Sequence, residues 1–281
     1  MYPELFRIGS HAVATYGVVV ALAVLAGGAL LARGFEERGL ETDDAWSVVG
    51  WALVGAIVGA KTYYVLLHGD PAAFLSRSGL VWYGGLIGGL AAGVIGARRT
   101  GLPLGRTADA AAPALALGHA LGHMGCFFSG DSYGLPSSLP WAVAFPRGAP
   151  PSTAGNLRHV FGVHVPVEIP DGQLLTVHPT MLYSAAVLLA AAFVLWVLRN
   201  RPWRPGRLFG LYLFLTGAER FAVEFLRAKD DRFVWGLTTA QDVALVSMAA
   251  GLVLFIALRR GASRVPGGAD MAGVAAADRR V

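Results

Sequence analysis

Two cations in this sequence sit in apolar surroundings. Lys61 lies in GAIVGAKTYYVLL and Arg220 in LYLFLTGAERFAVEF. A charge inside a bilayer costs roughly 2.5–3.5 kcal/mol on insertion scales and normally faces a cavity or a partner. Glu224 follows Arg220 by four residues, the spacing at which the two can pair on a helix. In GHALGHMGCFFSGDSYG, residues 118–134, His119, His123 and Cys126 follow i, i+4, i+7 and share one helical face. Such a face could bind zinc or copper, although the spacing offers no fourth ligand. Alternatively, His123 joins Lys61 and Arg220 in a cationic layer suited to an anion such as a phospholipid head group. Blander roles stay open. Lys61 can snorkel outward, Arg220 and Glu224 can form a purely structural pair, and Tyr16 and Tyr83 can belong to an interfacial aromatic belt. His119 and Cys126 can be packing residues. Arg227 and Lys229 are expected at the lipid surface.

The elements that must position these groups follow from composition. The chain has 281 residues, 55% hydrophobic and 15% charged, with mean hydropathy +0.54. That excludes an ordinary soluble domain and predicts an all-α polytopic membrane protein. The net charge of +5 does not call for nucleic acid, because membrane proteins concentrate cations in cytoplasmic loops. One cysteine excludes an internal disulfide framework. About 20 apolar residues cross a bilayer, and seven windows qualify: 12–32, 46–67, 80–97, 110–128, 180–198, 207–226 and 238–258. The start lacks a basic n-region and a cleavage site, so the first span is expected to be retained. Lys and Arg divide fourteen to seven between the two sets of connections, which predicts an outer N-terminus and a cytoplasmic C-terminus. Residues 1–260 read as one membrane domain, with an unstructured cytoplasmic tail over 261–281. The longest connection, about 129–179, reads as a small extracytoplasmic cap with a hairpin.

At 1.5 Å per residue, Tyr16, Lys61, Tyr83, His123, Cys126, Arg220 and Glu224 all fall within roughly 10 Å of the outer ends of their spans. Five helices thus deliver polar groups to one slab. Gly118 and Gly122 form GxxxG, which predicts close approach of a helix or lipid chain. Gly130 and Gly134 are expected to permit a tight turn.

Seven stretches, in order, carry a resemblance: ATYGVVVAL, GAIVGAKTYYVL, VWYGGLIGG, GHMGCFFSGDSYG, HPTMLYSA, GAERFAVEFLR and GLTTAQ. With them the chain resembles the bacterial prolipoprotein diacylglyceryl transferases over nearly its whole length. The resemblance implies a multi-pass protein of the bacterial plasma (inner) membrane. It implies transfer of the diacylglyceryl group of phosphatidylglycerol to the lipobox cysteine of a prolipoprotein signal peptide, with release of glycerol phosphate. No metal or organic cofactor is implied. Arg220, Glu224, Arg227, Tyr16 and Gly134 match family positions. Elsewhere the chain departs. Tyr83 stands for a histidine, His123 for the signature arginine, Cys126 and Ser129 for asparagines, Asp131 for a glutamate, Thr216 for a tyrosine and Lys61 for an arginine. Tyrosine is a poor base at neutral pH, and histidine lacks the fork with which arginine grips phosphate. The expected catalytic set is therefore His123, Arg220, Tyr83 and Asp131, with His123 as proton acceptor. The expected substrate-binding set is Tyr16, Lys61, His123, Ser129, Gly134, Arg220, Glu224 and Arg227. A related lipid transferase with another donor or acceptor, and a non-catalytic lipid- or metal-binding protein, are the competing readings.

Overall fold

The computed structural model describes residues 3–9, 11–75, 80–229 and 236–259. The tail expected to be unstructured lies outside the described residues, as do Arg77 and Arg232 of the charge count. A short hairpin pairs β1 (Glu4–Ile8) with β2 (His11–Ala14). The long helices follow: α1 (Thr15–Glu36), α2 (Thr42–His68), α3 (Trp82–Arg99) and α4 (Leu104–Ser129). Residues 130–179 form a cap holding β3 (Val143–Ala144), α5 (Ala154–His159) and β4 (Thr176–Val177). Then come α6 (Thr180–Leu198), α7 (Arg207–Glu224) and α8 (Thr239–Ala257).

Each of the seven apolar windows corresponds to a long helix. Four of these helices, α1, α2, α6 and α8, are long and apolar enough to cross a membrane. Their outward apolar residues, among them Val54, Leu66, Phe193 and Val246, are exposed, as lipid-facing positions require. The remaining three are diluted: α3 and α4 by glycine, alanine and histidine, and α7 by four charged residues. The first helix begins at Thr15 rather than at residue 12. His11–Ala14 are claimed instead by antiparallel pairing with β1, so Tyr16 sits in the first helical turn.

Backbone contact decides which helices pair. In α2 and α3, Gly59 faces Gly84 and Gly55 faces Gly88, so closely that a Cβ on any of the four would come within 2.3–2.4 Å of the opposite carbonyl oxygen or side chain. This is the small-residue seam by which helices associate without a hydrophobic driving force. α1 and α6 pack on α4, and α7 packs on α8. The expected GxxxG contact of Gly118 and Gly122 does not form with a helix: the space at Gly122 is open, and Gly118 only grazes Ala23. The close approach on α4 is at Gly125, against the Tyr16 ring.

The cap has a core of its own. Tyr133, Phe145, Leu157, Val165, Val177 and Met181 are buried together, with Cys126 and Phe127 of α4 packed beneath them. The expected hairpin does not form: β4 pairs antiparallel with β3, on the far side of α5, rather than with a neighbouring strand. Arg158 organises the loop above it by donating to the carbonyls of Val165, Pro166 and Ile169 and pairing with Asp171.

Candidate active site

The end of α4 is closed by Gly130, in the left-handed region at φ 66°, whose N–H bonds Cys126 O at 2.9 Å. The Ser129 hydroxyl donates to Asp131 Oδ2 at 2.6 Å, with Cys126 O as an alternative acceptor at 3.1 Å. Asp131 is thus folded back over the helix end. Ser132 follows with φ 60°, a conformation uncommon outside glycine. Its carbonyl accepts from the Thr180 hydroxyl at 2.7 Å.

From there the chain runs between two other segments. Gly134 N–H bonds His178 O at 2.8 Å, and His178 N–H bonds Leu135 O at 3.0 Å. On the other side Leu135 N–H bonds Leu226 O at 2.8 Å, and Ala228 N–H bonds Tyr133 O at 3.3 Å. Gly134 was expected to serve a turn, but its φ is not positive. It is needed for space, since a Cβ there would lie 2.3 Å from Leu226 O and 2.8 Å from His178 Cβ and Thr180 Cγ2. So GDSYG, HPT and EFLRA, far apart in sequence, meet as three adjacent strands of backbone. Tyr183, within the same HPTMLY stretch, accepts from Trp141 at 2.8 Å and lies 3.3 Å from His178 Nδ1.

The end of α7 adds the charges. Arg220 Nη2 stands 2.6 Å from Glu224 Oε2, and Arg227 Nε stands 3.6 Å from the same oxygen. The Glu224 side chain is 1% exposed, so its charge depends on these partners. Its other oxygen accepts from the Thr238 hydroxyl at 3.2 Å. Thr238 in turn is the N-cap of α8 and takes the Gln241 N–H, while Gln241 Oε1 takes the Thr238 N–H, a complete capping box. Arg227, expected at the lipid surface, is instead inside: its side chain is 17% exposed and its backbone bridges Gly134.

On α4, the His119 and His123 rings stack at 5.0 Å. Both His123 ring nitrogens are buried without a hydrogen-bond partner, and the ring is within electrostatic reach of Arg220 and Arg227. Tyr16 lays its ring on Gly125, with its hydroxyl in electrostatic reach of Cys126 and Asp131. Among the described residues, no three His, Cys, Asp or Glu side chains converge to hold a metal.

The structure therefore brings together Tyr16, His123, Ser129, Asp131, Gly134, Arg220, Glu224 and Arg227, from α1, α4, the start of the cap and α7. Lys61 and Tyr83 arrive on the separate α2–α3 hairpin. Lys61 is buried, Tyr83 half-buried, and Val81 N–H bonds Ala60 O at 3.4 Å, which holds the two at one level. That hairpin has no extensive contact with α7, so the single slab of polar groups divides into two parts. Thr180, Thr238 and Gln241 were missed as site residues. The T-x-x-Q spacing of the last two was the readable signal.

The model of the family described as prolipoprotein diacylglyceryl transferase matches residues 3–257. The chain belongs to the prolipoprotein diacylglyceryl transferase family. Relatives named phosphatidylglycerol–prolipoprotein diacylglyceryl transferase match across most of their own length. That of Gloeobacter violaceus is 33% identical over 93% of this chain and 94% of its own. That of Paenarthrobacter aurescens is 33% identical over 90% and 80%, and that of Bordetella avium 30% over 94% and 97%. The diacylglyceryl transferase family thus supplies the chemical class of the chain, a transferase.

Proposed function

We propose that this chain transfers the diacylglyceryl group of phosphatidylglycerol to the thiol of a lipobox cysteine in a prolipoprotein signal peptide. The setting is the outer leaflet of the bacterial plasma membrane, crossed by seven helices with the N-terminus and cap outside. The sulfur attacks the diacylglyceryl carbon that carries the phosphate ester. A C–S bond forms, that C–O bond breaks, glycerol phosphate leaves with the electron pair, and the thiol proton passes to a base. A free thiol has a pKa of about 8.5, so the base or a positive field is required. The leaving phosphate needs fixed cations in a water-poor place.

The observation that carries this reading is the Arg220–Glu224–Arg227 cluster beside a histidine whose ring nitrogens are buried and unpartnered. Two guanidiniums share one carboxylate, while the neighbouring Glu219 faces Ser184 of α6. Arg220 grips the phosphate and Glu224 aims it. His123 accepts the thiol proton. Tyr16, Ser129, Asp131, Arg227 and Gly134 shape the head-group pocket, and Lys61 and Tyr83, on the separate α2–α3 hairpin, form a second polar patch outside it. The open glycine face of α4 at Gly122 leaves room for an acyl chain alongside His123.

The test is direct. Purified protein is incubated with phosphatidylglycerol and a lipobox peptide, and the peptide is weighed by mass spectrometry. Gain of one diacylglyceryl mass is expected, lost in His123→Ala and Arg220→Ala. No gain while a control enzyme is active overturns the reading. Gain only with a different phospholipid would instead favour a changed donor, consistent with the family residues replaced at 83, 123, 126, 129 and 131.

A further inference from the structure

The two helices that carry the site, α4 and α7, run in the same direction and meet at both ends. At the end far from the site, α7 begins at Gly206, whose φ is 95° and which has no side chain with which to cap the helix. The cap comes from another helix. Asp109 of α4 is 7% exposed. Its Oδ2 accepts the Gly206 N–H and its Oδ1 the Phe209 N–H, both at 2.8 Å. In an ordinary capping box the N-cap and N3 side chains divide these two tasks. Here one carboxylate performs both, in trans. One turn earlier on the same face, Gly105 admits Pro205, which would lie 2.8 Å from a Cβ there. Arg38 supplies the balancing charge, with its guanidinium tied to Gly34 O at 2.9 Å and Arg199 O at 3.2 Å and its field acting on Asp109.

The numbering gives this clasp a consequence. His123 lies fourteen residues after Asp109, and Arg220 lies fourteen after Gly206. At 1.5 Å and 100° per residue, both advance about 21 Å and return to within about 40° of the starting face. Two parallel helices pinned level at Asp109 and Gly206 therefore arrive level at the histidine and the arginine. α7 has no other side-chain cap at its start, so loss of the clasp removes the polar tie that levels α7, with α8 packed on it, against α4.

We propose that Asp109 is a positioning residue that fixes the axial register of α7 against α4, and through it the placement of Arg220 opposite His123. The effect on turnover rests on the transferase reading above; the register itself does not. Two readouts separate them. The first is kcat and KM for phosphatidylglycerol with a lipobox peptide. The second is the rate at which N-ethylmaleimide labels Cys126, the only cysteine, which sits three residues beyond His123 on α4 under the cap core. Full-length Asp109→Ala and Asp109→Asn are compared with the parent in detergent, well below their thermal midpoints. For Asp109→Ala, kcat is expected to fall at least tenfold with KM changed less than threefold, and Cys126 labelling to rise several-fold. Asp109→Asn keeps an acceptor oxygen for one of the two N–H groups and is expected to recover most of both. If folded Asp109→Ala keeps parental kcat and labelling rate, the proposal is overturned. It is equally overturned if only the midpoint drops. Should Asp109→Ala not fold, Asp109→Asn decides instead: Cys126 labelling measurably faster and kcat measurably lower than the parent's support the clasp, and parental values for both overturn it. A parent without transfer activity would sink the transferase reading while the labelling comparison still decides the register.

Discussion

Glu224 is the residue on which the charges of the site converge. Its carboxylate is almost fully enclosed, meets Arg220 and Arg227 through one oxygen, and meets Thr238 through the other. Removing one partner of a buried ion pair costs about 3–5 kcal/mol, because the other is left unpaired. Glu224→Gln keeps the shape and the oxygen facing Thr238 but removes the charge. Arg220 then loses the group that aims it. The expected outcome is a folded protein with kcat/KM for phosphatidylglycerol down at least tenfold, read from initial rates across lipid concentration. A parental kcat/KM would show that Glu224 only fills space. The pairing of Arg220 with Glu224 was legible in the sequence, because i, i+4 places both on one helix face. The burial of Arg227 was not. It depends on backbone from Tyr133–Leu135 packing beside Leu226–Ala228, nearly a hundred residues apart in the chain, and no local spacing encodes that.

At the scale of elements, the start of α8 does two tasks with one hydroxyl. Thr238 caps the helix through the Gln241 N–H and also donates to Glu224. A Thr N-cap is worth about 1 kcal/mol. Gln241 supplies only the reciprocal half of the box, to the Thr238 N–H. Thr238→Val is therefore expected to lower both the thermal midpoint and kcat, whereas Gln241→Ala lowers the midpoint with kcat within about twofold. Circular dichroism melts and the transfer assay on both variants check this. Equal effects on kcat would mean that the Glu224 contact carries nothing. Long helices were readable because runs such as TMLYSAAVLLAAAFVLWVL are apolar throughout. The shift of the first helix start was hidden, since HAVA suits a helix locally and becomes a strand only by pairing with Glu4–Ile8. The fold of the cap was hidden for the same reason: its core joins residues from 126 to 228.

Across the whole molecule, the two ends of the bundle are built differently. The site end holds buried groups without partners, such as the ring nitrogens of His123. The opposite end is tied together by a hydrogen-bonded ion pair. Arg199, after α6, grips Glu37, after α1, with two hydrogen bonds of 2.7 and 2.9 Å, and lies 3.4 Å above the Trp196 ring. Arg33 adds a weaker contact at 3.6 Å. The hydrogen bonds from Arg199 hold the Glu37 carboxyl below its ordinary value of about 4.5. A carboxyl whose folded pKa is depressed stabilises the fold above its unfolded value, and that contribution is lost as pH falls through the folded one. The thermal midpoint of the parent should therefore exceed that of Glu37→Gln at pH 6 and approach it as pH drops below about 4.5. The pair is partly exposed, so the gap should also shrink in high salt, as screening requires. Parallel melting curves from pH 6 to strongly acidic conditions would show that the Glu37–Arg199 pair adds nothing to the packing of α1 and α6 on α4. A closing gap would show that the fixed end of the bundle, against which the unpaired groups of the other end are held, is electrostatic in part.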